Sequence, residues 1–95
     1  MFATSAPTTR VQSVTPGPIA PSAAGEMIVS FAAADVSPLR TWTEGAGTEI
    51  FDVQPTNMTL VANEQLQSAA IPVSRTLTIS GLPQELAGYI IALKP

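Results

Sequence analysis

Apolar and polar residues alternate along this chain with a period of two in several short runs, and almost nowhere with the period of a helix. Met27, Val29 and Phe31 share one face of the run from 26 to 31. Val73, Arg75, Leu77 and Ile79 alternate with Ser74, Thr76, Thr78 and Ser80, which predicts the clearest strand in the chain. Residues 89–93, Tyr-Ile-Ile-Ala-Leu, are apolar on both faces and predict a central strand. A short edge strand is expected over 39–43, after Pro38. Residues 49–53 and 58–62 read as two strands joined as a hairpin through Pro55, Thr56 and Asn57. Gly45-Ala46-Gly47 reads as a loop.

Two stretches admit helix. Asn63 could cap one or two turns running through Glu64, Gln65 and Leu66. Pro83 suits the first position of a single helical turn, and Gly88 suits its end. Five or six short strands with so little helical periodicity predict an all-β domain, a small Ig-like β-sandwich or barrel.

The first quarter has a different texture. Pro7, Pro16, Pro18 and Pro21 fall among Ala, Ser and Thr. Proline fixes φ and has no amide proton, so neither a helix nor a long central strand persists there. The expected division is an extended N-terminal arm over 1–25 and a β-domain over 26–95. Arg10 to Val14 is the one stretch of the arm suited to pairing. Val11, Val14 and Ile19 are spaced to seat an extended chain in shallow pockets of a partner.

Composition narrows the chemistry. There is no His, no Cys and a single lysine, Lys94, so the side chains that do most acid–base, thiolate and metal chemistry are missing. No disulfide and no transition-metal or other cofactor is expected. Four basic residues are scattered and no basic stripe forms, which argues against nucleic acid as a partner. No apolar run approaches a membrane span of about 18 residues, and Met1-Phe2-Ala-Thr-Ser lacks the pattern of a secretory signal. The apolar fraction of 45% is too high for a wholly disordered chain.

The remaining candidate sites each have a plainer reading. Asp35 and Asp52 could form a carboxylate pair, but their triplets, Asp-Val-Ser and Asp-Val-Gln, lack the glycine of an aspartic-protease loop. Glu44, Glu49 and Asp52 flank a glycine loop, yet they are too few and too sparse for the six to eight oxygens of a calcium site. A serine or threonine nucleophile would lack a base other than Lys94. Asn57-Met58-Thr59 fits a glycosylation acceptor, but Asn57 is as well explained as a turn residue. Trp42 is either a partner anchor or core. Arg75 stands on an apolar strand face, so a carboxylate is expected beside it: Asp52, Glu49 or an acid of a partner.

Residues 78–83, Thr-Ile-Ser-Gly-Leu-Pro, followed by Tyr89 to Leu93, resemble the corner of a fibronectin type III domain. That resemblance implies a sandwich in which the Tyr89 hydroxyl bonds back to the corner and Trp42 lies in the core. In its arm, its small β-domain and its lack of His and Cys, the chain resembles small bacteriophage head decoration, or cement, proteins. That likeness implies binding to a major capsid protein, commonly as a trimer, without catalysis. The expected protein is therefore a non-enzymatic virion component, made in a host cytoplasm and homo-oligomeric. It would dock through Val11, Val14, Ile19, Trp42 and Arg75, with neither nucleic acid nor membrane as a partner. A tail or head–tail connector part, or a free-standing Ig-like adhesion or carbohydrate-binding module, is the alternative.

Overall fold

The computed structural model describes residues 1–35, 40–45, 47–54 and 58–94. Within them the chain is all-β, with eight strands: β1 (Phe2–Ser5), β2 (Ser13–Val14), β3 (Met27–Ala34), β4 (Trp42–Thr43), β5 (Thr48–Val53), β6 (Thr59–Leu66), β7 (Leu77–Ile79) and β8 (Leu86–Leu93). They form an antiparallel five-stranded sheet, ordered β1-β8-β3-β6-β5, and a three-stranded sheet, ordered β2-β7-β4. Pro55, Thr56 and Asn57, at the expected hairpin turn, lie outside the described residues, as do Leu39 and Ala46. The antiparallel pairing of β5 with β6 is present.

The two sheets stack as a sandwich around one apolar layer. Val14, Trp42, Leu77 and Ile79 of the small sheet meet Ala32, Ala34, Val61 and Leu86 of the large one. A second cluster joins Ile19 to Ile28, Ile90 and Ala92. Full burial of side chains such as Ile28, Leu77, Ile79 and Ile90 contributes about 1.5–3 kcal/mol each. Trp42 Nε1 donates to Thr59 Oγ1 at 2.9 Å, so both buried polar groups are satisfied. β8 is flanked on both sides, as its two apolar faces predict.

Residues 1–25 are not a separate arm. β1 pairs with β8 from Phe2↔Ile91 to Ser5↔Gly88, and β2 pairs with β7. Between the prolines the chain makes short pairings instead of one long strand. Val11 and Gln84 exchange backbone bonds at 2.8 and 2.9 Å, and Ile19 and Val73 do the same at 2.9 and 2.8 Å. The prolines supply no donor and fall between these donating residues, with Pro16 and Pro21 themselves buried. The division at residue 25 therefore does not hold: the prolines break the strands but leave the segment part of the core.

Neither expected helical stretch is helix. Asn63 to Leu66 continue β6, paired with Met27 to Ser30 of β3. Asn63 is buried in the sheet and caps nothing. Gly88 lies inside β8, and a Cβ there would stand 2.8 Å from Val14 Cγ2 and 3.1 Å from Pro16 Cδ. The N-terminal segment crosses β8 at that point, and only a glycine admits so close an approach.

Candidate functional site

Strand register assigns every side chain of the large sheet to one of two faces. The inner face, toward the small sheet, carries Ile28, Ser30, Ala32 and Ala34 of β3, with Leu86, Gly88, Ile90 and Ala92 of β8. Met27, Val29, Phe31 and Ala33 therefore point outward, as do Ala87, Tyr89, Ile91 and Leu93. The larger residues of β3 lie outside and the smaller inside, because Trp42, Leu77 and Ile79 of the small sheet supply bulk to the inner layer.

No further layer of the described residues lies over the outer face, although Val29 and Ala62 are buried among their neighbours on it. Its middle row runs Thr4, Tyr89, Phe31, Ala62 and Phe51 across all five strands. Phe31 stands on the central strand and is 38% exposed. Phe2, 63% exposed, stacks on Tyr89 with ring centroids 5.4 Å apart and planes inclined by 15°. Phe31 and Tyr89 are tilted at 6.2 Å. On one side of this row lie the bulky Phe2, Ile91 and Val29; on the other lie Ala87, Ala33, Leu60 and Val53. The alanine side is a groove of about 490 Å³, walled by Phe31, Phe51 and Tyr89. Its lining includes no charged side chain. Glu64, in the row of Val29, is the one ionisable charge among the residues that register places on this face.

The edges of the same sheet are blunted. β1 has only four residues, and the edge strand β5 carries Glu49 and Asp52, which register places on the inner face beside Asn63 and Val61. Glu44 joins these two acids. Burial, then the Glu49 charge, raises the Glu44 carboxyl above its ordinary pKa, and the same two causes raise Asp52. The charge acting on Asp52 comes from Glu49, and no Asp35–Asp52 pair forms. Among the described residues no group of three His, Cys, Asp or Glu side chains could hold a metal ion.

The residues expected to bind a partner are placed elsewhere. Val14 and Ile19 are in the chain's own core, and Val11 packs against it. Trp42 is core as well, as one of its two readings had it. Arg75 is buried at 8% exposure, and its partners correct the expected carboxylate: it donates to the Ser74 carbonyl at 3.0 Å and to Gln65 Oε1. Desolvation lowers its pKa. Tyr89 stacks on Phe2 at the outer face, where the fibronectin-like corner would have had its hydroxyl bond back to the β7–β8 turn. The outer face itself was half legible: the alternation grouped Met27, Val29 and Phe31 but did not say which side the second sheet covers.

No family model, curated protein or solved structure matches this chain.

Proposed function

We propose that this protein is a non-enzymatic structural component that docks through the outer face of its five-stranded sheet. The observation that supports this is an apolar, aromatic-centred face, with Phe2, Phe31 and Phe51 exposed, on a sheet whose other face carries the core. Contiguous apolar patches of this kind on a folded domain mark interaction surfaces. Tyr and Phe with few charges are also the composition of interface cores. A small-molecule site is less well supported, because such pockets place a few convergent polar groups to orient the ligand.

The assembly we put first is a virion shell, with the protein decorating major capsid protein. A phage tail or connector is the second reading. This places the protein in the virion after synthesis in the host cytoplasm, without a cofactor. Quantitative mass spectrometry of particles purified from the source organism tests it. The chain should be present at a fixed ratio near one per shell subunit; a low copy number would move it to the tail or connector. Phe31→Glu should be lost from the particles while keeping its β-sheet circular dichroism. Absence of the chain from particles, or undiminished incorporation of Phe31→Glu, overturns the proposal.

A further inference from the structure

We infer that the occupant of the outer face is a second copy of this chain, packed sheet on sheet about a two-fold axis that crosses the strands at Phe31. The inference rests on the reading of this face as a docking surface and names its partner.

The face carries both halves of a fit to itself. On one side of the middle row stand the exposed Phe2 and the half-buried Ile91, with Val29 buried beside them, and the Ala33 and Ala87 side is the groove. A two-fold axis along the middle row exchanges the two sides. Val29 of one copy then faces Ala33 of the other, and Ile91 faces Ala87. Bulk meets small side chain at both places, and the same two contacts recur by symmetry, as an isologous interface requires. Phe31, Tyr89 and Phe51 all lie on the axis, so each meets its own counterpart, aromatic on aromatic. Large side chains set against small ones across facing layers is also how two sheets interdigitate in a sandwich.

Area agrees with this packing. Strands about 4.8 Å apart, with four, eight, eight, eight and six residues rising about 3.3 Å each, give a face of about 540 Å² in projection. Side chains standing off that plane bring the accessible area close to the roughly 800 Å² per partner of a standard interface. Glu64 is off the axis, and the exchange of sides sets it against Leu60 of the partner, not against its own copy. The acidic residues of the edge strand β5 disfavour the other route to self-association, edge-to-edge extension of the sheet.

Sedimentation velocity on the purified full chain, from about 1 to 200 μM, tests the inference. The wild type should be a dimer over the upper part of that range. Phe31→Glu places two carboxylates on the axis and should give a monomer. Ala33→Trp should do the same by filling the groove, although it adds apolar surface. Leu82→Glu, at an exposed apolar site in the β7–β8 turn, should remain dimeric. The wild type alone supplies a second readout: fluorescence of the dye ANS should be low where the dimer prevails and rise on dilution. A wild type monomeric throughout overturns the inference, as does a trimer, open-ended aggregation, or a dimer that folded Ala33→Trp leaves intact. A monomeric wild type whose Phe31→Glu variant is nevertheless lost from particles would sink the dimer and keep the docking face. A dimer absent from particles would do the reverse.

Discussion

Replacing Ile19 by alanine separates a woven N-terminal segment from a free one. Ile19 is 4% exposed, packs with Ile28, Ile90 and Ala92, and exchanges two backbone bonds with Val73. The change removes three buried carbons, about 2.4 kcal/mol at roughly 0.8 kcal/mol per methylene. The cavity left between two sheets adds to that, so the expected cost is about 3 kcal/mol. A domain of this size has about 5–10 kcal/mol in total, so the variant folds but weakly. Trp42 is the only tryptophan and is buried in the shared layer, which makes its fluorescence a direct report of unfolding. With an m-value near 1.5 kcal/mol/M, the urea midpoint should fall by about 2 M. Ile71→Ala, at an exposed position in the segment before β7, should shift it by less than about 0.5 M. Protein concentration is held fixed, because association would add to the apparent stability. An Ile19→Ala midpoint within about 0.3 M of wild type would refute the reasoning and return residues 1–25 to the status of an arm.

Gly88→Ala sets a methyl 2.8 Å from Val14 where the N-terminal segment crosses β8, and should cost about 1–3 kcal/mol in the same urea titration. Arg75→Met should fall within about 1 kcal/mol of wild type or above it, because the guanidinium has only neutral acceptors and a desolvated charge. A paired buried carboxylate would instead have made the loss about 3–5 kcal/mol. Stability should peak at mildly acidic pH, read as melting temperature between pH 3 and 8. Glu44 and Asp52 have raised pKa values, so the native state holds more protons than the unfolded one, and stability rises as pH falls from neutral toward the ordinary carboxylate range. Glu26 has a lowered pKa, because its carboxylate accepts from Ser22 Oγ and the Ala23 amide. Its contribution is present above the ordinary range and is lost as pH falls through the folded value. Asp52→Asn should raise the melting temperature at pH 7 and change it less at pH 4; an equal effect at both would remove charge repulsion as the cause.

The sequence carried the strand content because alternation depends on local geometry alone. β3, β7 and β8 were legible from Met27 to Phe31, Val73 to Ile79 and Tyr89 to Leu93, although of the second run only Leu77–Ile79 is strand and Val73 forms an isolated bridge. The N-terminal segment was not, for a specific physical reason. Proline removes one donor at a time, and a chain can still pair at the residues between, as Val11, Ser13, Val14 and Ile19 do. Which residues cross which strand is a long-range matter. The contact of Val14 with Gly88 spans most of the chain, and no local window sees it. Arg75 misled for a related reason: its burial was readable from the alternation, but the neighbour that satisfies it, Gln65, is set by how β6 lies across the sandwich.

The hardest feature to read was which face of β3 is the inside, and the cause bears on what the protein does. A sheet with one wet face alternates apolar and polar residues, and the polar set names the solvent side. β3 offers Ile28, Ser30, Ala32 and Ala34 on one side and Met27, Val29, Phe31 and Ala33 on the other; β8 offers apolar residues on both. By hydrophobicity alone the outer set is the better core. Such a pattern is ordinary for a strand buried on both faces, and among the described residues only the inner face has a second sheet against it. Among the described residues all eight strands are divided between the two sheets, and none lies over the outer face. The two blunted edges point the same way. Charge and shortness protect the places where backbone pairing would otherwise spread, while the face above Phe31 carries no comparable protection. A sequence selected to stay monomeric would be expected to place Lys or Glu at 31 or 89, where an outward-pointing charge reaches solvent. Phe31 and Tyr89 stand there instead, and it is this pattern that the proposed second copy would cover.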